Sequence, residues 1–182
     1  MERYEHVCPV EHAGGLDSRA RKWLQNPEKI LKGRIKEGMV VLDLGCGSGY
    51  FTTEIARQVG RSGKVIAADL QQGMLDILRD KVKGTDIEDR IVLRKCEADK
   101  IGVTEKVDLV VAFFMVHEVP DKRKLLQELK SILKPNGSIY IVEFRMHPPM
   151  KAFNEMVSTA SEVGLVEKER SSSLISRAIV FQ

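Results

Sequence analysis

Residues Val41 to Tyr50 read "VLDLGCGSGY", a short apolar run carrying one aspartate, followed by Gly45, Gly47 and Gly49 at alternate positions. This is the pattern of a buried strand running into a tight turn. Without a Cβ, such a turn lets a ligand approach the backbone closely, and the helix that follows begins with free N–H groups. Counted from Gly47, the third glycine of the dinucleotide pattern GxGxxG would fall at Thr52, so the spacing here is GxGxG. No GK[ST] follows, which excludes a P-loop. Asp43 puts a carboxylate just ahead of the loop, suiting a ligand with an ammonium or sulfonium better than one with a pyrophosphate.

Outward from this loop, strand-like and helix-like patterns alternate, as expected of βαβ units and a mainly parallel sheet. Strands are expected at Val40 to Leu44, Lys64 to Asp69, Arg90 to Leu93, Val107 to Phe113 and Ser138 to Phe144. Their nearly continuous apolar runs suit strands covered by helices on both faces. Between them, Phe51, Ile55 and Val59 share one helical face, as do Met74, Leu78 and Val82, and Leu125, Leu129 and Ile132. Asp121 is the expected N-cap of the third helix, and Lys134-Pro135-Asn136-Gly137 is expected to end it. A helix is predicted over Lys151 to Val163. Leu165 to Glu169 and Ile175 to Phe181 are expected as antiparallel edge strands joined by "RSSSL".

The expected fold class is therefore α/β: a Rossmann-like, doubly wound, seven-stranded, mostly parallel sheet with an antiparallel C-terminal edge hairpin and an N-terminal helical arm. Residues 1–37 form the arm, with helical stretches near Ser18 to Gln25 and Glu28 to Leu31 that Asn26-Pro27 should break. Residues 38–182 form the main domain. Residues 1–30 are expected to act as a lid.

Two further acids fall at strand tips. Asp69 ends the "KVIAAD" strand, where a carboxylate can accept hydrogen bonds from both hydroxyls of a ribose. In "CEADKI", beyond the third strand, Glu97 can accept from an exocyclic amine, and the Ala98 backbone can meet an adenine edge. Together the three acids read ammonium, ribose and adenine.

On these motifs the sequence resembles the class I S-adenosylmethionine-dependent methyltransferases, and within them the small-molecule branch that includes the ubiquinone/menaquinone C-methyltransferases (methyltransferase type 11). "VLDLGCGSG", "VIAADL", "CEADKIGV", "VDLVVAFFMVHEVPD" and "LKSILKPNGSIYIVE" carry the resemblance over about Gly38 to Glu143, with Asn136 in place of the first glycine of the family's "LKPGG". It implies that Gly45, Cys46, Gly47 and Gly49 lie around the methionyl part of adenosylmethionine, that Asp43 holds its ammonium, Asp69 the ribose, and Glu97 with Ala98 the adenine. Leu70 and Met74 are expected as apolar walls for the base, and Phe113 as a further cofactor-binding residue. The implied reaction is in-line transfer of a methyl group to a small-molecule acceptor, leaving S-adenosylhomocysteine.

His117, followed by Glu118 just past the fourth strand, is the candidate catalytic base, its alternative being a histidine that shapes the pocket or fixes the loop before Pro120. Glu143 is expected either to orient substrate or to satisfy a nearby backbone group. Cys46 suits a position where only a small residue fits. Cys8 and His12, with Cys46 or Cys96, are the candidates for a thiol or metalloid acceptor, the runner-up to an organic acceptor; a noncatalytic adenosylmethionine-binding module is the other alternative. No resident metal is expected.

With 29 Lys and Arg against 26 Asp and Glu, the formal charge of +3 gives no strong field toward nucleic acid. No apolar run approaches the roughly 18 to 20 residues that span a bilayer, and "MERYEHVCPV" lacks the order of a signal peptide. Cys8, Cys46 and Cys96 show no CxxC spacing and fit a reducing compartment. A cytoplasmic protein, monomeric or homodimeric and without membrane insertion, is the expectation.

Overall fold

The structure, a computed structural model, describes residues 26–182. Cys8, His12, the helical stretch expected at Ser18 to Gln25 and most of the expected lid lie outside the described residues.

The elements are α1 (Pro27–Leu31), β1 (Val40–Leu44), α2 (Thr52–Gln58), β2 (Lys64–Asp69), α3 (Gln72–Val82), β3 (Ile91–Lys95), β4 (Val107–Phe113), α4 (Lys122–Ile132), β5 (Leu133–Phe144), α5 (Met150–Glu162), β6 (Glu167–Ser172) and β7 (Ser176–Phe181). The strands form one sheet in the order β3-β2-β1-β4-β5-β7-β6. The pairs from β3 through β5 are parallel, and β5–β7 and β6–β7 are antiparallel. Strand order reverses between β1 and β4, and ligands of open α/β sheets lie at such a reversal, beyond the carboxyl ends of the strands.

Side chains alternate across each strand, so the sheet divides the core in two. Leu42, Leu44, Ile66, Val110, Ile139 and Ile141 pack with Leu125, Leu126 and Leu129 of α4 and Phe153 and Met156 of α5. On the opposite face, Val41, Val65, Leu109, Val111 and Tyr140 pack with Leu31 of α1, Phe51 and Ile55 beside and on α2, and Leu75 and Leu78 of α3. Burial on both faces explains the continuous apolar runs of β1 and β2.

Asn26-Pro27 starts the helix expected near Glu28 to Leu31: the Asn26 side chain accepts from the Lys29 N–H, and Pro27 occupies the first turn, where no backbone donor is needed. Three local expectations are corrected. β3 runs Ile91–Lys95 and not Arg90 to Leu93, because Glu88–Arg90 forms a short 3₁₀ turn. β5 begins at Leu133, which pairs with Val107 before the register shifts, so the "KPNG" stretch lies within an irregular strand start. There a Cβ on Gly137 would meet the Val107 carbonyl oxygen at 2.9 Å. β6 is Glu167–Ser172 and not Leu165 to Glu169; all six residues are exposed and mostly polar, so backbone pairing with β7 fixes it and not apolarity. Asp121 caps α4 as expected, accepting from the Lys124 N–H at 2.9 Å.

The described part of the arm is anchored to the far edge of the sheet. Arg34 makes a two-point contact with Glu169 of β6 and lies 4.0 Å from the centre of the Tyr140 ring.

Candidate functional site

A cavity of about 880 Å³ opens at the carboxyl ends of the parallel strands. It gathers Asp43 from β1, Gly45, Cys46 and Gly47 from the β1–α2 loop, Asp69, Leu70 and Met74 from the end of β2 and α3, Glu97 and Ala98 after β3, and Phe113 and His117 at the end of β4. Of the residues expected around the cofactor, Gly49 alone does not line it. Its φ is +82°, and a Cβ there would overlap Leu78 of α3, so Gly49 serves close packing of loop against helix. Gly45 lines the cavity with φ +70°; a Cβ there would lie 2.7 Å from Cγ of Met115.

The loop is held to the sheet by its own amides. Gly45 and Cys46 N–H both donate to the Ala68 carbonyl, at 2.8 and 3.1 Å, and Gly47 N–H donates to Oδ2 of Asp69 at 2.8 Å. The other Asp69 oxygen accepts from Gln71 N–H at 2.8 Å. Burial raises the Asp69 pKa, opposed by these backbone hydrogen bonds and by Lys95. Each oxygen keeps further accepting capacity for a diol.

Asp43 is 2% exposed and accepts from Thr52 Oγ1 at 2.6 Å. Burial drives its pKa up to about 7, with Thr52 opposing and Asp69 adding repulsion. With no cationic partner among the described residues, such a buried acid gains when a cation arrives. Ser48 Oγ is also buried and has no hydrogen-bond partner among the described residues. Lys81 Nζ donates to the Ser48 carbonyl at 2.6 Å. The donor and acceptor set therefore fits the amino acid end of adenosylmethionine: an acid for its ammonium, and an unsatisfied hydroxyl for its carboxylate.

Glu97 and Ala98 are exposed at the cavity's far end, in a tight turn where Glu97 and Lys100 exchange backbone hydrogen bonds. The next residues are pinned from below: Glu128 of α4 accepts from Ile101 N–H at 3.1 Å and Gly102 N–H at 3.0 Å. Sequence reading missed Glu128, because it sits on the polar side of an amphipathic helix and only the fold brings it under this loop.

At the opposite end, Phe113 stacks on Phe51 with centroids 4.0 Å apart. Phe114, also missed, has φ +58°, a conformation a bulky residue adopts only under compulsion. Its N–H bonds the Val142 carbonyl at 2.7 Å, and its ring stacks on Phe144 at 4.1 Å, giving this end an aromatic wall. His117 lies beside it in a 3₁₀ turn, Val116–Glu118. Glu143, 1% exposed at the end of β5, accepts from His117 N–H at 2.9 Å and faces Nδ1 at 2.8 Å. That hydrogen bond is the main cause raising the His117 pKa, against desolvation. Glu118 lines the cavity with its pKa pushed up to about 7, chiefly by burial.

Cys46 and Cys96 are buried free thiols, and burial drives both pKa values up, Cys96 to about 12. They are thiols and not thiolates, which is the wrong form for a soft metalloid. Among the described residues no group of three or more His, Cys, Asp or Glu can hold a metal ion, and no helix is long and apolar enough to cross a membrane.

Residues 35–177 match the family of methyltransferase domains. The demethylmenaquinone methyltransferase of Lactobacillus johnsonii is 38% identical over 122 residues, covering 66% of this chain and 49% of that protein. A ubiquinone/menaquinone biosynthesis C-methyltransferase of Idiomarina loihiensis is 32% identical over 111 residues, covering 60% and 44%. The matches thus span about half the length of these relatives. A SAM-dependent methyltransferase from Aquifex aeolicus superposes with a TM-score of 0.86 at 28% identity, covering 96% of this chain and 98% of the other. The fibrillarin of Aeropyrum pernix with natively bound S-adenosyl-L-methionine shares the fold, with a TM-score of 0.66 at 16% identity. By the family match over most of its length, the chain belongs to the methyltransferase domain family, and its fold is that of the S-adenosylmethionine-dependent methyltransferases.

Proposed function

We propose that this chain transfers a methyl group from S-adenosylmethionine to a carbon of a small, ring-containing acceptor. The observation that carries the reading is the convergence of the buried acid Asp43, the unsatisfied Ser48 hydroxyl and the Gly47–Asp69 hydrogen bond at one end of a cavity of about 880 Å³. That volume lies in the upper part of the range for ligand sites, roughly 300 to 1,000 Å³, enough for a nucleoside and a second small molecule.

In this reading Asp43 holds the ammonium, the Ser48 hydroxyl takes the carboxylate, Gly45 and Gly47 let the methionyl part lie close to the backbone, Asp69 takes the ribose diol, and Glu97 with Ala98 takes the adenine edge between Leu70 and Met74. Bound adenosylmethionine supplies a methyl group made electrophilic by its sulfonium. The protein's own part is alignment and exclusion of water, worth on the order of 7 to 11 kcal/mol in favourable cases, against about 3 to 5 kcal/mol for a base that adds 10² to 10⁴ in rate. The aromatic wall of Phe114 and Phe144 supports a flat acceptor, and the likeness to a C-methyltransferase supports a carbon nucleophile.

Calorimetric titration with adenosylhomocysteine, followed by label transfer from adenosylmethionine to demethylmenaquinone and to a panel of O-, N-, S- and C-acceptors, tests the reading. Binding with transfer to a ring carbon is expected. Binding without transfer to any acceptor would leave a noncatalytic module, and absence of binding would overturn the reading altogether.

A further inference from the structure

We propose that Glu143 is a positioning residue: it fixes His117 as the tautomer protonated on Nδ1 and presents Nε2, as a proton-accepting nitrogen, to the acceptor end of the cavity. This rests on the methyltransferase reading above and deepens it, since it assigns the acceptor a proton that must leave.

The geometry carries the inference. An ionised carboxylate has no hydrogen to donate, so at 2.8 Å from Nδ1 it requires the proton to sit on Nδ1. The same carboxylate takes the His117 backbone N–H at 2.9 Å, which fixes the turn as well as the ring. Glu143 is 1% exposed, whereas His117 lines the cavity and its Nε2 makes no hydrogen bond among the described residues. His147, on the loop after β5, meets the His117 ring edge to face with centroids 4.8 Å apart. A buried acid holding one ring nitrogen while the other faces a cavity is the arrangement by which an imidazole is oriented to accept a proton.

During transfer, His117 receives on Nε2 the proton that the acceptor sheds as its bond to the methyl carbon forms and the methyl–sulfur bond breaks with its electron pair kept by sulfur. Glu143 stabilises the resulting imidazolium, and solvent removes the proton afterwards. The charged groups that act on His117 are Glu143 from β5, Glu118 from its own turn and Lys122 from α4. The two acids raise its pKa and the lysine lowers it, so the base-competent neutral form gains as pH rises through that raised value.

The test reads the ring directly. In the full-length wild-type protein, nitrogen-15 spectra of the histidines, assigned with a His117→Gln variant, are recorded as a function of pH. The neutral His117 ring should carry its proton on Nδ1. In Glu143→Gln, the amide oxygen can keep the backbone N–H while its NH₂ turns to Nδ1. The proton should then move to Nε2, and the His117 pKa should fall by about one unit or more. A neutral wild-type ring protonated on Nε2, or a Glu143→Gln variant with unchanged tautomer and pKa, overturns the proposal. The wild-type spectrum decides the matter even if the variant fails to fold. Adenosylhomocysteine affinity, measured on the same samples, should be unchanged within about twofold in Glu143→Gln. Its absence in wild type would instead defeat the methyltransferase reading, leaving the tautomer result to stand alone.

Discussion

The amide of Gly47 donates to Oδ2 of Asp69 at 2.8 Å, so the glycine loop after β1 and the acid at the tip of β2 form one hydrogen-bonded unit. Asp69→Asn leaves a single accepting oxygen for two backbone donors, those of Gly47 and Gln71. Adenosylhomocysteine affinity should fall by about 10²-fold, more than one lost hydroxyl contact explains, because hydrogen bonds to charged groups contribute about 1.5 to 3 kcal/mol each. Hydrogen exchange at the Gly47 amide should accelerate in the unliganded variant; unchanged exchange would separate the two motifs again.

Asp43 gives the site a pH dependence. Its folded pKa, about 7, lies above the ordinary 3.8, so its contribution to stability is fully present below about pH 4 and is lost as pH rises toward 7, by on the order of 4 kcal/mol. Asp43→Asn should remove this slope and raise the stability of the unliganded protein at pH 8. A bound ammonium favours the ionised acid. Binding of adenosylhomocysteine near pH 6 should therefore release a proton, seen by calorimetry in buffers of different ionisation enthalpy. The release should drop by close to one proton in Asp43→Asn, and affinity should strengthen between pH 6 and 8 only in wild type.

Gly45 and Gly49 share a positive φ but differ in what faces them. Gly49→Ala forces the buried Leu78 to move and should lower stability by about 2 kcal/mol or more in denaturant melts, with affinity changed little once folded protein is compared. Gly45→Ala displaces the flexible Met115 at the cavity wall and should lower stability by only about 1 to 2 kcal/mol, while weakening adenosylhomocysteine at least tenfold. Equal effects of the two on both measurements would contradict this division.

Glu128→Ala leaves the Ile101 and Gly102 amides without their acceptor and loosens the turn that carries Glu97 and Ala98. Adenosylhomocysteine affinity should fall by about tenfold, and affinity for methionine alone, which reaches no further than the amino acid end, should be unaffected. Glu128→Gln, which keeps one accepting oxygen, should fall between the two.

The order of elements, the parallel core and most of the residues that line the cavity were legible in the chain because they are local. Apolar runs mark β1, β2 and β4; "GCGSG" marks a turn with positive φ, borne by all three glycines; Asp69 ends β2, and Glu97 lies two residues past β3. β6 was misplaced because an edge strand of exposed polar residues leaves no hydrophobic period to read. The start of β5 was missed because pairing with β4 overrode the turn propensity of "KPNG".

The sequence by itself thus determined the doubly wound sheet and placed Asp43, Asp69 and Glu97 near strand tips, since each is encoded within a few residues of a strand end. The tertiary structure alone decided that Glu128 braces the loop after Ala98, that Gly49 packs against α3 instead of lining the cavity, and that Glu143 clamps His117. Those relationships join residues 26 to 29 positions apart in the chain. No local pattern specifies such contacts; burial of both sheet faces forces them.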